Sequence, residues 1–70
     1  MIEKVTFKYN GVKHEIEIGR LDLIPDSATD ADILTAVARH LDIPALQEFE
    51  VDRYATVWNV RPEAIHGSRA

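Results

Sequence analysis

The most informative part of this sequence is IEKVTFKYNGVKHEIEI, residues 2–18. Asn10-Gly11 lies between two runs in which apolar and polar side chains alternate. Both central positions of a type I′ turn have positive φ, so Asn-Gly between such runs predicts a two-residue β-hairpin. The turn sets the register, with Tyr9 facing Val12. One face of the hairpin is then almost wholly apolar and the other is polar, a separation that a one-residue slip would destroy.

A helix and a second pair of strands are predicted further along the chain. Residues 29–41 are predicted to form the helix, because Thr29 is a favourable N-cap and apolar side chains follow at helical spacing. Residues 49–54 and 56–61 are predicted strands, since they are rich in β-branched and aromatic residues. Residues 19–28 connect the first hairpin to the helix and have the composition of a loop.

The predicted element order is β-β-α-β-β, in which a helix between two hairpins covers one face of a single sheet. Over residues 2–61, this order and spacing resemble the β-grasp fold of ubiquitin-like proteins. The resemblance implies an α+β domain with a mixed four-stranded sheet, whose first and last strands lie parallel in the centre. Val5 and Phe7 would then neighbour Trp58 and Val60. The alternative is a two-layer α/β sandwich with a purely antiparallel sheet.

The apolar pattern also predicts which side chains form the core between helix and sheet. The predicted core consists of Val5, Phe7, Ile16, Ile18, Leu23, Ile33, Leu34, Val37, Leu41, Phe49, Val51, Trp58 and Val60. The chain of 70 residues is predicted to be one domain over residues 1–67, followed by a disordered tail at 68–70.

The amino-acid composition bears on the cellular location of the protein and on the classes of partner that it binds. The chain has no cysteine, and small secreted domains usually depend on disulfides, so a cytoplasmic location is expected. No apolar run approaches the roughly 20 residues of a membrane span, and no cluster of lysine and arginine favours nucleic acid. The net charge is −4, and the segment between Asp22 and Asp52 holds eight acidic residues against Arg39 alone. These are Asp22, Asp26, Asp30, Asp32, Asp42, Glu48, Glu50 and Asp52.

No catalytic, metal or cofactor site is predicted. The three histidines fall on a strand, at a helix end and in the tail, whereas metal ligands must meet in space. Three aspartates near the helix start lack the glycine and distal glutamate of a calcium-binding loop, and they suit a turn and a helix N-terminus. Neither serine has a nucleophile motif around it. The histidines are His14, His40 and His66, the aspartates are Asp26, Asp30 and Asp32, and the serines are Ser27 and Ser68.

The candidate binding residues are Arg53, Tyr54 and Arg61, because tyrosine and arginine are overrepresented at protein-binding hot spots. The predicted function is a non-enzymatic, ubiquitin-like accessory domain that docks on a larger intracellular protein. The resemblance also implies an alternative, a ubiquitin-like or sulfur-carrier protein activated at a processed Gly67. The acidic segment suggests another alternative, a small inhibitor or antitoxin that occupies a basic enzyme.

Overall fold

The first hairpin forms where Asn10-Gly11 predicts it. A computed structural model of the protein describes residues 1–63, in which strand β1 (Lys4–Tyr9) pairs antiparallel with β2 (Val12–Glu17). Asn10 and Gly11 have φ angles of 52° and 80°, as the predicted turn requires. The predicted register is confirmed, from Tyr9 opposite Val12 at the turn to Lys4 opposite Glu17 at the other end.

The helix α1 spans Asp30–Leu41 and is capped at both ends by its own sequence. At its start, the Thr29 hydroxyl accepts a hydrogen bond from the Asp32 amide at 3.1 Å, and the Asp32 carboxylate accepts from the Thr29 amide at 3.0 Å. This reciprocal pair satisfies two amides that would otherwise lack partners. At its end, Asp42 takes the left-handed conformation, with φ 57°. The Ile43 amide then donates to the Ala38 carbonyl at 3.0 Å, which closes a Schellman motif.

The second hairpin joins the first to make one mixed sheet. Strands β3 (Phe49–Arg53) and β4 (Val57–Pro62) pair antiparallel, and the strand order is β2-β1-β4-β3. The two central strands, β1 and β4, are parallel, which confirms the predicted α+β arrangement and excludes the purely antiparallel alternative. Val5 lies opposite Trp58, and Phe7 lies opposite Val60, as predicted. This topology is compatible with a β-grasp-like fold.

The core lies between α1 and the helix-facing side of the sheet. Eight of the predicted core residues are buried, and the other five are half-buried against them. Three buried residues were not predicted: Leu21, Ala38 and Leu46. Within residues 1–63, no helix has the length and apolar character needed to cross a lipid bilayer. The predicted tail at 68–70 and the end of the predicted domain at Gly67 lie outside the described residues.

Candidate functional site

The side of the sheet that faces away from α1 is covered by none of the described elements, and we call it the open face. Alternate residues of all four strands form it, because successive strand side chains point to opposite sides. Four of its side chains are basic and four are acidic, so the face is electrically mixed. Its members are Lys4, Thr6, Lys8, Lys13, Glu15, Glu17, Glu50, Asp52, Val57, Asn59 and Arg61.

Arg61 is held on the open face by two carboxylates of the neighbouring strand. Its Nε donates to Asp52 Oδ2 at 2.7 Å, and its Nη2 donates to Asp52 Oδ1 at 3.1 Å and to Glu50 Oε1 at 3.2 Å. The hydrogen bonds from Arg61 lower the pKa of the Asp52 carboxyl, and those to Asp52 raise the pKa of Arg61. Such a two-pronged pair fixes the plane of the guanidinium as well as its position.

The rest of the open face is also paired. At its centre, the Thr6 hydroxyl donates to Asn59 Oδ1 at 2.8 Å, which links β1 to β4. Towards β2, Glu15 contacts Lys4 at 3.3 Å and Lys13 at 3.7 Å. The hydrogen bond and charge of Lys4 lower the pKa of Glu15. Exposed pairs of this kind contribute little to stability, so their main effect is to orient side chains.

Tyr54 and Val57 form the apolar corner of this otherwise polar face. The Tyr54 amide donates to the Val57 carbonyl at 3.0 Å, so the β3–β4 register continues beyond the end of β3. That register places Tyr54 opposite Val57, on the same side as Asp52 and Arg61. Tyr54 is 64% exposed, whereas Val57 is half-buried. We call Tyr54, Val57, Asp52 and Arg61 the Tyr54 corner.

The structure places two of the three predicted binding residues on the open face and the third on the opposite side. Tyr54 and Arg61 lie on either side of Asp52 in the Tyr54 corner, whereas Arg53 points to the helix side of the sheet. Its guanidinium donates to Asp30 Oδ1 at 2.7 and 3.2 Å and to the Ala28 carbonyl at 3.0 Å. It also lies 4.9 Å from the centre of the Trp58 ring. Arg53 thus connects the start of α1 to the second hairpin. The proposed carrier residue, Gly67, lies outside the described residues.

Four of the eight acidic side chains between Asp22 and Asp52 make hydrogen bonds or ion pairs within the domain. Asp30 binds Arg53, Asp32 caps α1, and Glu50 and Asp52 hold Arg61. The other four acidic side chains, Asp22, Asp26, Asp42 and Glu48, are exposed. Within residues 1–63, no three histidine, aspartate or glutamate side chains come together in a way that could hold a metal ion.

Sequence reasoning missed the residues that surround Tyr54. Asp52, Val57 and Asn59 carry no motif, and only their alternate spacing on predicted strands places them on one face.

No protein-family model, curated protein or solved structure matches the chain. Its function is therefore inferred from its own surfaces.

Proposed function

We propose that this protein is a small, non-enzymatic, ubiquitin-like binding domain that docks on a larger intracellular protein through the Tyr54 corner. One observation carries the proposal: a tyrosine that is 64% exposed shares the open face with an arginine held by two carboxylates, one of which, Asp52, lies between them. Tyrosine and arginine are enriched among the few residues that carry most of the binding energy at protein interfaces.

The pairing of Arg61 supports binding because it reduces the cost of association. A free arginine loses rotamer freedom when a partner immobilises it, at about 0.5–1.5 kcal/mol for such a side chain. Glu50 and Asp52 already restrict Arg61 before any partner arrives. The Tyr54 ring offers apolar area on the same face as this fixed group. The matching partner surface has an apolar pocket for the ring and a polar rim of mixed charge.

Two further features support the proposed class of domain and its proposed cellular location. The β-β-α-β-β order with parallel central strands supports a ubiquitin-like domain. The absence of cysteine supports a cytoplasmic location, where thiols are kept reduced and disulfides are rare.

The test is a comparative capture experiment in a native lysate, read by quantitative mass spectrometry. The baits are the wild-type protein, the Tyr54→Ala variant and the Ile24→Ala variant. Ile24 is a matched control, because it is 71% exposed and lies in the loop before α1 rather than on the open face. We expect one partner to be retained by wild type and Ile24→Ala and lost by Tyr54→Ala. With that partner purified, Tyr54→Ala should weaken binding by about 2 kcal/mol, roughly 30-fold.

Equal capture by all three baits would contradict the Tyr54 corner as the docking site. Two further measurements separate the alternatives. A mixed-charge corner should bind with little dependence on salt, whereas an acidic inhibitor of a basic enzyme should lose affinity steeply as salt rises. The carrier alternative requires a chain that ends at Gly67, which the intact mass of the endogenous protein would reveal.

A further inference from the structure

Strand β2 forms one edge of the sheet and has no strand on its outer side among the described residues. In a hairpin with a two-residue turn, the two residues that flank the turn exchange backbone hydrogen bonds. Val12, His14 and Ile16 therefore direct their backbone groups to β1. By alternation, Lys13 and Glu15 direct theirs to the free edge. A six-residue strand with unpaired amides and carbonyls is a template for another strand.

We propose that β2 pairs with β2 of a second copy of this protein, antiparallel and centred on His14, to form one continuous sheet. In this register, Lys13 of each copy lies opposite Glu15 of the other. Val12, which is 56% exposed, lies opposite Ile16 of the other copy. Because the axis is two-fold, each of these pairs occurs twice. Both the charged pairs and the apolar pairs stabilise an antiparallel sheet.

Neighbouring registers are disfavoured by charge or by the sheet faces. A shift of the pairing by two residues in one direction places Glu15 opposite Glu15 while Lys13 faces Glu17, and a shift in the other direction places Lys13 opposite Lys13 with no opposite-charge pair to offset it. Like charges directly opposite each other destabilise a sheet. A shift by one residue would place the apolar side of one copy on the polar side of the other. The charges of β2 thus disfavour most strand partners and complement β2 itself.

The other edge of the sheet does not offer the same match. On the open face, β3 carries only Glu50 and Asp52, so antiparallel pairing of β3 with itself brings acidic side chains together. Arg53 at the end of β3 is also occupied by α1. The Tyr54 corner lies beside β3, at the opposite edge from β2. Self-pairing through β2 therefore leaves the proposed docking site free, and the two proposals can fail independently.

Sedimentation equilibrium of the purified protein at low salt tests the pairing. A contact of one short strand is small, so the concentrations extend to about 1 mM, where weak complexes become visible. We expect wild type to form dimers and Lys13→Glu, which opposes carboxylates at both pairs, to bind at least about tenfold more weakly. Arg39→Glu is the matched control, because it makes the same charge change on the exposed side of α1 and should leave dimerisation unaltered.

A charge-complementation experiment excludes an effect on folding. Lys13→Glu and Glu15→Lys should each self-associate poorly, because each makes every central charged pair repulsive. Mixed in equal amounts, the two variants should form a heterodimer, since all these pairs then become attractive. Circular dichroism of each variant checks that it is folded. A wild type that stays monomeric, dimers that are insensitive to Lys13→Glu, or a mixture that does not associate would each overturn the proposal.

Discussion

The two faces of the sheet are built from the same strands, yet their side chains do different work. On β1, Phe7 is fully buried under α1, whereas its neighbour Lys8 is exposed on the open face. The buried face carries the packing that stabilises the domain. The open face carries hydrogen-bonded and ion-paired groups that remain in water and contribute little to stability. The side chains of the open face can therefore be changed at little cost in stability, which suits this face to the proposed docking role.

Phe7 lies at the centre of the buried face. Its ring is 5.5 Å from the Tyr9 ring, 5.7 Å from the Phe49 ring in an edge-to-face arrangement and 6.3 Å from the His14 ring. One aromatic side chain therefore joins three strands of the sheet. Aromatic pairs of this geometry contribute beyond the area that they bury.

The largest expected effect is that of Phe7→Ala. Deleting a buried phenylalanine costs about 3–5 kcal/mol, and the core of a domain this small supplies about the same amount in total. We expect the variant to be largely unfolded at 25 °C, as measured by circular dichroism and urea titration. Lys8→Ala, one residue away on the open face, should change stability by less than about 0.5 kcal/mol. Similar losses of stability in the two variants would contradict the difference between the buried face and the open face.

A smaller effect is expected from Arg53→Ala, on the helix side of the second hairpin. This change removes the hydrogen bonds to Asp30 and Ala28 and the contact with Trp58, and should cost about 1–2 kcal/mol. Thermal unfolding followed by calorimetry provides the measurement. Arg61→Ala breaks ion pairs within one hairpin and removes no aromatic contact, so it should cost less than Arg53→Ala.

Arg53→Lys shows whether geometry or charge is responsible. Lysine keeps the charge but lacks the planar fork that reaches a carboxylate and a carbonyl together while it stacks on a ring. It should lose most of the stabilisation. A lysine variant as stable as wild type would mean that only the charge matters at this position.

Asp42→Gly should produce a gain, because it improves the end of the helix that covers the buried face. Asp42 has a φ of 57° and places a negative charge at the negative end of the helix dipole. Glycine adopts this conformation without steric cost, so the free energy of unfolding should rise by about 0.5–1 kcal/mol. Asp42→Ala removes the charge without relieving the backbone. An equal gain from alanine would contradict the conformational explanation.

Much of the fold could be predicted because its decisive signals are local. Asn10-Gly11 sets the first register, and Thr29 with the apolar stripe sets the helix. The sequence did not distinguish the buried Leu21 from the half-buried Leu23 of the same loop, and it did not identify Leu46 as buried, since irregular segments have no periodic pattern. The path of the chain, rather than any periodicity, decides whether a loop side chain is covered.

The site was less predictable for a related reason. The connection between β3 and β4 contains no glycine, so no turn type and no register could be assigned to this hairpin. Without the register, the pairing of Arg61 with Glu50 and Asp52 was not visible. The inward direction of Arg53 was available in the sequence, because alternation places Arg53 on the same side as Val51.

The smallest expected effect is a pH dependence that originates on the open face. Arg61 holds the pKa of the Asp52 carboxyl below its usual range. The folded state therefore binds a proton less readily than the unfolded chain. The resulting stabilisation is present above the usual aspartate pKa and is lost as the pH falls through the lowered one. Glu15, whose pKa is lowered by Lys4, acts in the same direction.

Arg61→Ala should accordingly flatten the decline in stability between neutral and acidic pH, as measured by urea midpoints across that range. Lys8→Ala is the control, because Lys8 makes no ion pair within residues 1–63 and its removal should leave the decline unchanged. Parallel pH profiles for wild type and Arg61→Ala would show that the ion pairs of Arg61 contribute no measurable stability. Arg61 would then not be held in place before a partner binds, and the proposed docking site would lose the rigidity on which its affinity depends.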